Sequence, residues 1–216
     1  MASASQSRLR WPPRSHPVSL SLLLGTFTLL ISLMIAGAWW VTYAEIELRR
    51  EEDTQRQLAA VFPDTLHDNP LSDSEVTLTL DGMPVRVYRA SQQGKPSGLV
   101  MFAGEKGYSG IISLLIGIDA DGELTGVRVI SHTETPGLGD KIELSHGNWI
   151  LGFNGKSLQN TTEKQWAVKK DGGDFDAFTG ATITPRAVVK AVHRTLQLFQ
   201  RHRTELLGLT EEKANE

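Results

Sequence analysis

Between Ser15 and Ala44 the chain carries no Asp, Glu, Lys or Arg. Within that interval lies VSLSLLLGTFTLLISLMIAGAWWVTY, residues 18–43. A helix of about 20 apolar residues spans a bilayer, so this run is long enough to cross one with some tilt. Buried in a soluble fold, it would need a large core around it. As the apolar region of a cleaved signal peptide it exceeds the usual span of about 7–15 residues. An uncleaved single-pass anchor over 18–43, preceded by a short N-terminal segment (1–17), is therefore the expectation. Arg8, Arg10 and Arg14 precede the run without an acid, whereas Arg49, Arg50 and Arg56 follow it among Glu45, Glu47, Glu51, Glu52 and Asp53. The short, purely basic first flank favours a cytoplasmic N-terminus, and Trp39, Trp40 and Tyr43 suit the far interface.

The remaining residues suffice for one extracytoplasmic domain. The net charge of −3 gives no sign of a nucleic-acid partner. The absence of Cys excludes disulfides, thiolate-bound zinc, iron–sulfur clusters and c-type haem attachment. Redox chemistry would need a cofactor held some other way. Residues 44–74 read as a charged helical stalk and linker. Beyond them, VTLTLDGMPVRVYRA (76–90) is a hairpin about Asp81-Gly82, SQQGKPSG a loop, and LVMFA (99–103) and IISLLIGI (111–118) buried-type strands. LTGVRVIS (124–131) is a further strand, 140–153 contains short helices, and KQWAVKK (164–170) reads as one more strand. Val188, Val192, Leu196 and Phe199 share one face of an amphipathic helix from Pro185 to about Leu207. The fold class is α+β: a single N-terminal transmembrane helix, then a mostly antiparallel sheet with packed helices over 75–210, and a tail at 211–216.

Two stretches are able to carry chemistry. SHTETPGLGD (131–140) follows a strand; Pro136 fixes a backbone angle, while Gly137 and Gly139 permit positive φ or close approach. Such a loop wraps a flat or phosphorylated ligand, or it is an ordinary Pro-Gly turn. His132 and Glu134 would point to one side of an extended segment, but with no third ligand nearby a surface pair is the simpler reading. The second stretch is DAFTGATITPRAVV (176–189). Thr184 reads as the N-cap of the last helix and Pro185 as its first residue. That helix start is an anion site, with Thr182 beside it. Capping explains Thr184 and Pro185 but leaves Thr179-Gly180-Ala181-Thr182 without a reason.

DAFTGATIT resembles the flavinylation pattern of proteins that carry FMN on a threonine through a phosphoester, and ETPGLG resembles the second signature of the same FMN-binding domains. With one N-terminal anchor, the chain is similar to the family of G subunits of Rnf (Rsx) electron-transport complexes and to the related C subunits of sodium-pumping NADH:quinone reductases. GGDFDAFTGATITPRAVVKAV is closer to the Rnf type. The resemblance covers the anchor and about 75–210. It implies covalently bound FMN on Thr182, a motif completed by Thr179, Gly180 and Ala181 and led by Asp176, and further FMN contacts from Thr184, Glu134, Thr135, Gly137, Leu138, Gly139 and Tyr108, the last of which is also readable as a core or hairpin tyrosine. It also implies a separate magnesium-dependent flavin transferase that uses FAD, the other subunits of the membrane complex as partners, and membrane lipid around the anchor. The chain would sit in the cell inner membrane with its C-terminal domain on the periplasmic side. No catalytic or metal-ligating residue and no nicotinamide fingerprint is indicated, so the expected role is an electron relay in an ion-translocating assembly. The alternatives are a membrane-anchored sensory or assembly module using the pocket noncovalently, without electron transfer, or the equivalent subunit of the sodium-pumping NADH:quinone reductase. A hydrolase with Thr182 as nucleophile lacks a recognisable base, since His193 on the following helix reads as a surface residue.

Overall fold

The computed structural model describes residues 17–209. Arg8, Arg10 and Arg14 of the N-terminal flank and the tail 211–216 lie outside the described residues. The chain divides into two compact units, Met1–Arg50 and Glu51–Glu216. The described part of the first is helix, within α1 (Pro17–Val61). Leu20–Tyr43 is the one stretch among the described residues long and apolar enough to cross a membrane. Its large side chains, such as Leu23, Phe27, Met34 and Trp40, have no protein cover. Ser21, Thr26, Thr28 and Thr42 each donate a hydroxyl hydrogen bond to the carbonyl four residues earlier, at 2.8–2.9 Å. These four hydroxyls are thus satisfied within the helix, as suits an apolar medium.

The second unit is built on a five-stranded antiparallel meander, in the order β1 (Glu75–Leu80), β2 (Met83–Gln92), β3 (Lys95–Lys106), β4 (Ile111–Asp119) and β5 (Leu124–Ser131). Asp81 and Gly82 both have positive φ, 49° and 78°, which suits a tight two-residue hairpin whose twist matches its strands. The loop expected over 91–98 is instead a second such turn at Gln93-Gly94 (φ 54° and 73°), with both strands running into it. The strands of LVMFA and IISLLIGI lack alternation because both sheet faces are covered. Leu99, Met101, Leu114, Ile116 and Ile118 face α2 (Ile183–Leu206), whose Val188, Val192, Leu196 and Phe199 are buried as expected. Val100 and Leu115 face the last turn of α1, with Leu58, Val61 and Phe62.

Glycines make room for that turn. Gly117 and Gly126 are register partners on β4 and β5. A Cβ on Gly126 would lie 2.9 Å from the Val61 Cα, and one on Gly98 would lie 2.6 Å from the Phe62 ring. The Thr125 hydroxyl donates to the Val61 carbonyl at 2.6 Å, satisfying an acceptor that a helix end leaves without an internal partner.

The short helices expected in 140–153 are present as 3-10 turns at Asp140–Ile142, Leu144–His146 and Trp149–Phe153. The strand expected over 164–170 is not. Trp166 and Val168 do point inward, which gives the segment its period of two. The segment makes only an isolated bridge, between Val168 and Phe175, and is flanked by 3-10 turns at Glu163–Gln165 and Lys169–Asp171. Its inward residues pack on rings: Trp166 stacks on His193 at 5.3 Å between centroids and on Phe175 at 5.7 Å. His193 is consequently half-buried and not a surface residue. α2 also begins two residues before Pro185. Thr182 occupies the N-cap position without a side-chain cap bond, and Thr184 is inside the first turn and buried. Pro185 is tolerated there because first-turn amides have no internal acceptor.

Candidate functional site

In a meander, the β3–β4 turn and the exit from β5 fall at the same end of the sheet, because Ser113 of β4 pairs with Ser131 of β5 and Lys106 with Ile111. The start of α2 reaches that end as well. Together the three segments form a cleft of about 290 Å³ lined by Tyr108, Glu134, Thr135, Leu138, Gly139, Gly180, Ala181, Thr182, Ile183 and Thr184. The two sequence motifs, at 131–140 and 176–189, are therefore the two walls of one cleft. Thr179, Gly137 and Asp176 are not among its lining residues. Asp176 is exposed, paired with Lys169 at 2.7 Å, and its carbonyl accepts the Trp149 indole N–H at 2.9 Å. Tyr108 is 70 % exposed at the cleft, not a core tyrosine.

Glu134 organises the site from beneath. It is 4 % exposed, so the surface-pair reading of His132 and Glu134 does not hold. Its carboxylate accepts backbone N–H bonds from Ser109 at 3.0 Å and Tyr108 at 3.3 Å, and a bond from the Thr184 hydroxyl. This last contact replaces the cap role expected of Thr184: its hydroxyl turns down to Glu134, not back to the helix amides. Glycines admit the carboxylate. A Cβ on Gly107 would lie 2.5 Å from Glu134 Oε1, and one on Gly139 would lie 2.8 Å from the Glu134 Cβ. Burial alone would push the Glu134 carboxyl up, but the hydrogen bonds from Thr184, Ser109, Tyr108 and Gly110 outweigh it and hold the group below the usual glutamate range. His132 Nδ1 accepts the Glu134 backbone N–H at 3.0 Å, which turns Nε2 toward Glu143 at 2.7 Å. No group of three or more metal-ligating side chains occurs among the described residues.

The ETPGLG turn is fixed by its own backbone. The Thr135 carbonyl accepts from Leu138 and Gly139 at 3.2 and 3.0 Å, Gly137 takes φ 77°, and its N–H donates to Asp140 at 2.8 Å. Gly180, at φ 84°, performs the corresponding bend before Thr182. Thr182 is half-exposed on the cleft wall. Ile183, between the two threonines and 47 % exposed, was not among the residues singled out from the sequence. An apolar residue left uncovered at a helix start was the available signal.

The cleft combines apolar surface from Tyr108, Leu138 and Ile183, the positive end of the α2 dipole and the hydroxyl of Thr182 at the start of that helix. It contains no Lys or Arg. Arg186, the cation nearest Thr182 in sequence, is held in a two-pronged pair with Asp171, both contacts at 2.6 Å. These features fit a flavin phosphate: apolar walls for a ring, helix amides for a phosphate and glycines for close approach. A hydrolytic site does not fit, because His193 is occupied with Trp166 and with Glu163 at 3.1 Å and is absent from the cleft.

Residues 107–197 match the family described as "FMN-binding domain", which takes in both cleft walls. The chain is 49 % identical over 196 residues to the G subunit of the ion-translocating oxidoreductase complex of Cereibacter sphaeroides strain ATCC 17023, covering 90 % of each chain. It is 47 % identical to the protein of the same name from Shewanella loihica, covering 86 % of this chain and 91 % of that one. The crystal structure of Shewanella oneidensis NqrC is 27 % identical, with a TM-score of 0.46 over 67 % of this chain and 73 % of that chain.

Proposed function

The chain belongs to the family of G subunits of ion-translocating oxidoreductase complexes, the Rnf type, and we propose that its FMN is esterified to Thr182. It is an FMN electron-carrying subunit and works with other subunits, not alone. Bound flavin supplies the redox chemistry; the protein supplies tethering and surroundings. The observation that carries the covalent reading is the position of Thr182. Its hydroxyl makes no cap bond and stands on the cleft wall at the start of α2. The lack of a lining cation supports the same reading, since retention by a covalent bond does not depend on an ion pair.

In this proposal the phosphate rests at the first turn of α2, and Leu138, Ile183 and Tyr108 provide apolar cover for the ring. Glu134, Thr135, Gly137 and Gly139 shape the facing wall. Asp176 and Thr179, exposed outside the cleft, are surfaces for the flavin transferase that loads the site from FAD. The protein is a membrane protein, the Leu20–Tyr43 stretch of α1 lies in lipid, and the flavin domain is on the periplasmic side of the inner membrane.

The test is fluorescence of the full chain on a denaturing gel after coexpression with a flavin transferase. The proposal expects a fluorescent band for the native chain and none for Thr182→Val. A native chain that binds FMN but gives a dark band sinks the covalent reading and favours the noncovalent sensory or assembly module.

A further inference from the structure

Glu134 is a buried carboxylate that meets no cation among the described residues. Its hydrogen-bond donors, the Tyr108, Ser109 and Gly110 amides and the Thr184 hydroxyl, are all neutral. No basic side chain bonds to it among the described residues, Lys106 and Lys141 of the flanking segments included; Arg186 pairs with Asp171 and His132 Nε2 with Glu143. Removing an ion from water without an opposite charge is costly, and dipoles offset that cost only in part. Donors on two separate segments and close packing over Gly107 and Gly139 fix where the charge sits. That place is the wall of the cleft.

We propose that Glu134 sets the redox poise of this subunit: its fixed negative charge lowers the midpoint potential of the flavin in the cleft and makes the reduced subunit a stronger electron donor. The inference rests on the reading that FMN occupies this cleft. Reduction adds negative charge to the flavin, and like charges at close range in a partly desolvated site repel more strongly than in water. The hydrogen bonds that hold the carboxyl below its usual range keep it ionised at neutral pH. A residue needed only to tie the loop at 107–110 to α2 would not require a charge.

The experiment is a spectroelectrochemical titration of the FMN-loaded full chain in detergent at pH 8, with flavin content read separately from in-gel fluorescence. Glu134→Gln is expected to raise the midpoint potential. At fixed ambient potential, the ratio of oxidised to reduced flavin should fall by about tenfold, which is about 30 mV for a two-electron couple. Glu134→Asp, which keeps the charge, should restore most of the original potential. A loaded Glu134→Gln protein with an unchanged or lower potential overturns the proposal. A purely structural role would reduce loading or thermal stability while leaving the loaded fraction at the wild-type potential. If Glu134→Gln accepts no flavin, Thr184→Val decides. That variant keeps the charge and removes one donor that offsets it, so the potential should fall; no change or a rise contradicts the inference. A wild-type chain without flavin would instead refute the FMN reading on which the inference rests.

Discussion

Only Ile183 separates Thr182 from Thr184, yet the start of α2 gives the two threonines opposite surroundings. Thr184 is 1 % exposed and bonded to Glu134; Thr182 faces the cleft. The sequence assigned the cap to Thr184 because Ser/Thr followed by Pro is a common helix opening. It could not show that a carboxylate fifty residues earlier would take that hydroxyl. Glu134 also carries a pH dependence. Its folded pKa lies below the usual value, so its contribution to stability is complete above the usual glutamate range and is lost as pH falls through the folded pKa. Glu143, held low by Ser145 and His132, loses its contribution in the same direction but is intact in a Glu134 variant. Urea unfolding of the full chain in detergent should therefore show stability falling from neutral pH into the acid range, with a smaller fall for Glu134→Gln. Parallel curves would contradict the role assigned to this carboxylate.

At the scale of elements, the features readable in the sequence are those set by local rules. The turn at Asp81-Gly82, the membrane-length apolar run and the Val188–Phe199 face of α2 need no distant partner. The strand expected over 164–170 fails for the opposite reason: Trp166 turns inward onto the rings of Phe153, Phe175 and His193 and Val168 into the same core, with no neighbouring strand to pair the segment. The glycine saddle was likewise illegible. Gly117 and Gly126 look like weak points in strands until Val61 is seen lying across them. Gly126→Ala should overpack this contact and destabilise the second unit by about 1–3 kcal/mol, read as a lowered urea midpoint of the full chain. Unchanged stability would mean that the turn at Val61 is not tightly seated.

For the whole molecule, both motifs of the site were legible, and their convergence was not, because it depends on β3, β4 and β5 forming consecutive meander strands. The orientation proposed from charge at the ends of the membrane run is open to a direct check. The native chain has no Cys, so Lys95→Cys at the exposed start of β3 introduces a single thiol. In intact spheroplasts a membrane-impermeant maleimide should label that thiol. Labelling only after the membrane is broken would place the domain in the cytoplasm.

The central claim concerns one oxygen atom. Trypsin should release residues 171–186 as a peptide that contains Thr179, Thr182 and Thr184. Fragmentation mass spectrometry of that peptide from flavin-loaded protein places any adduct among the three. The account predicts the mass of FMN less one water on Thr182. The same adduct on Thr179 or Thr184, or an unmodified peptide from protein that carries FMN, would contradict it.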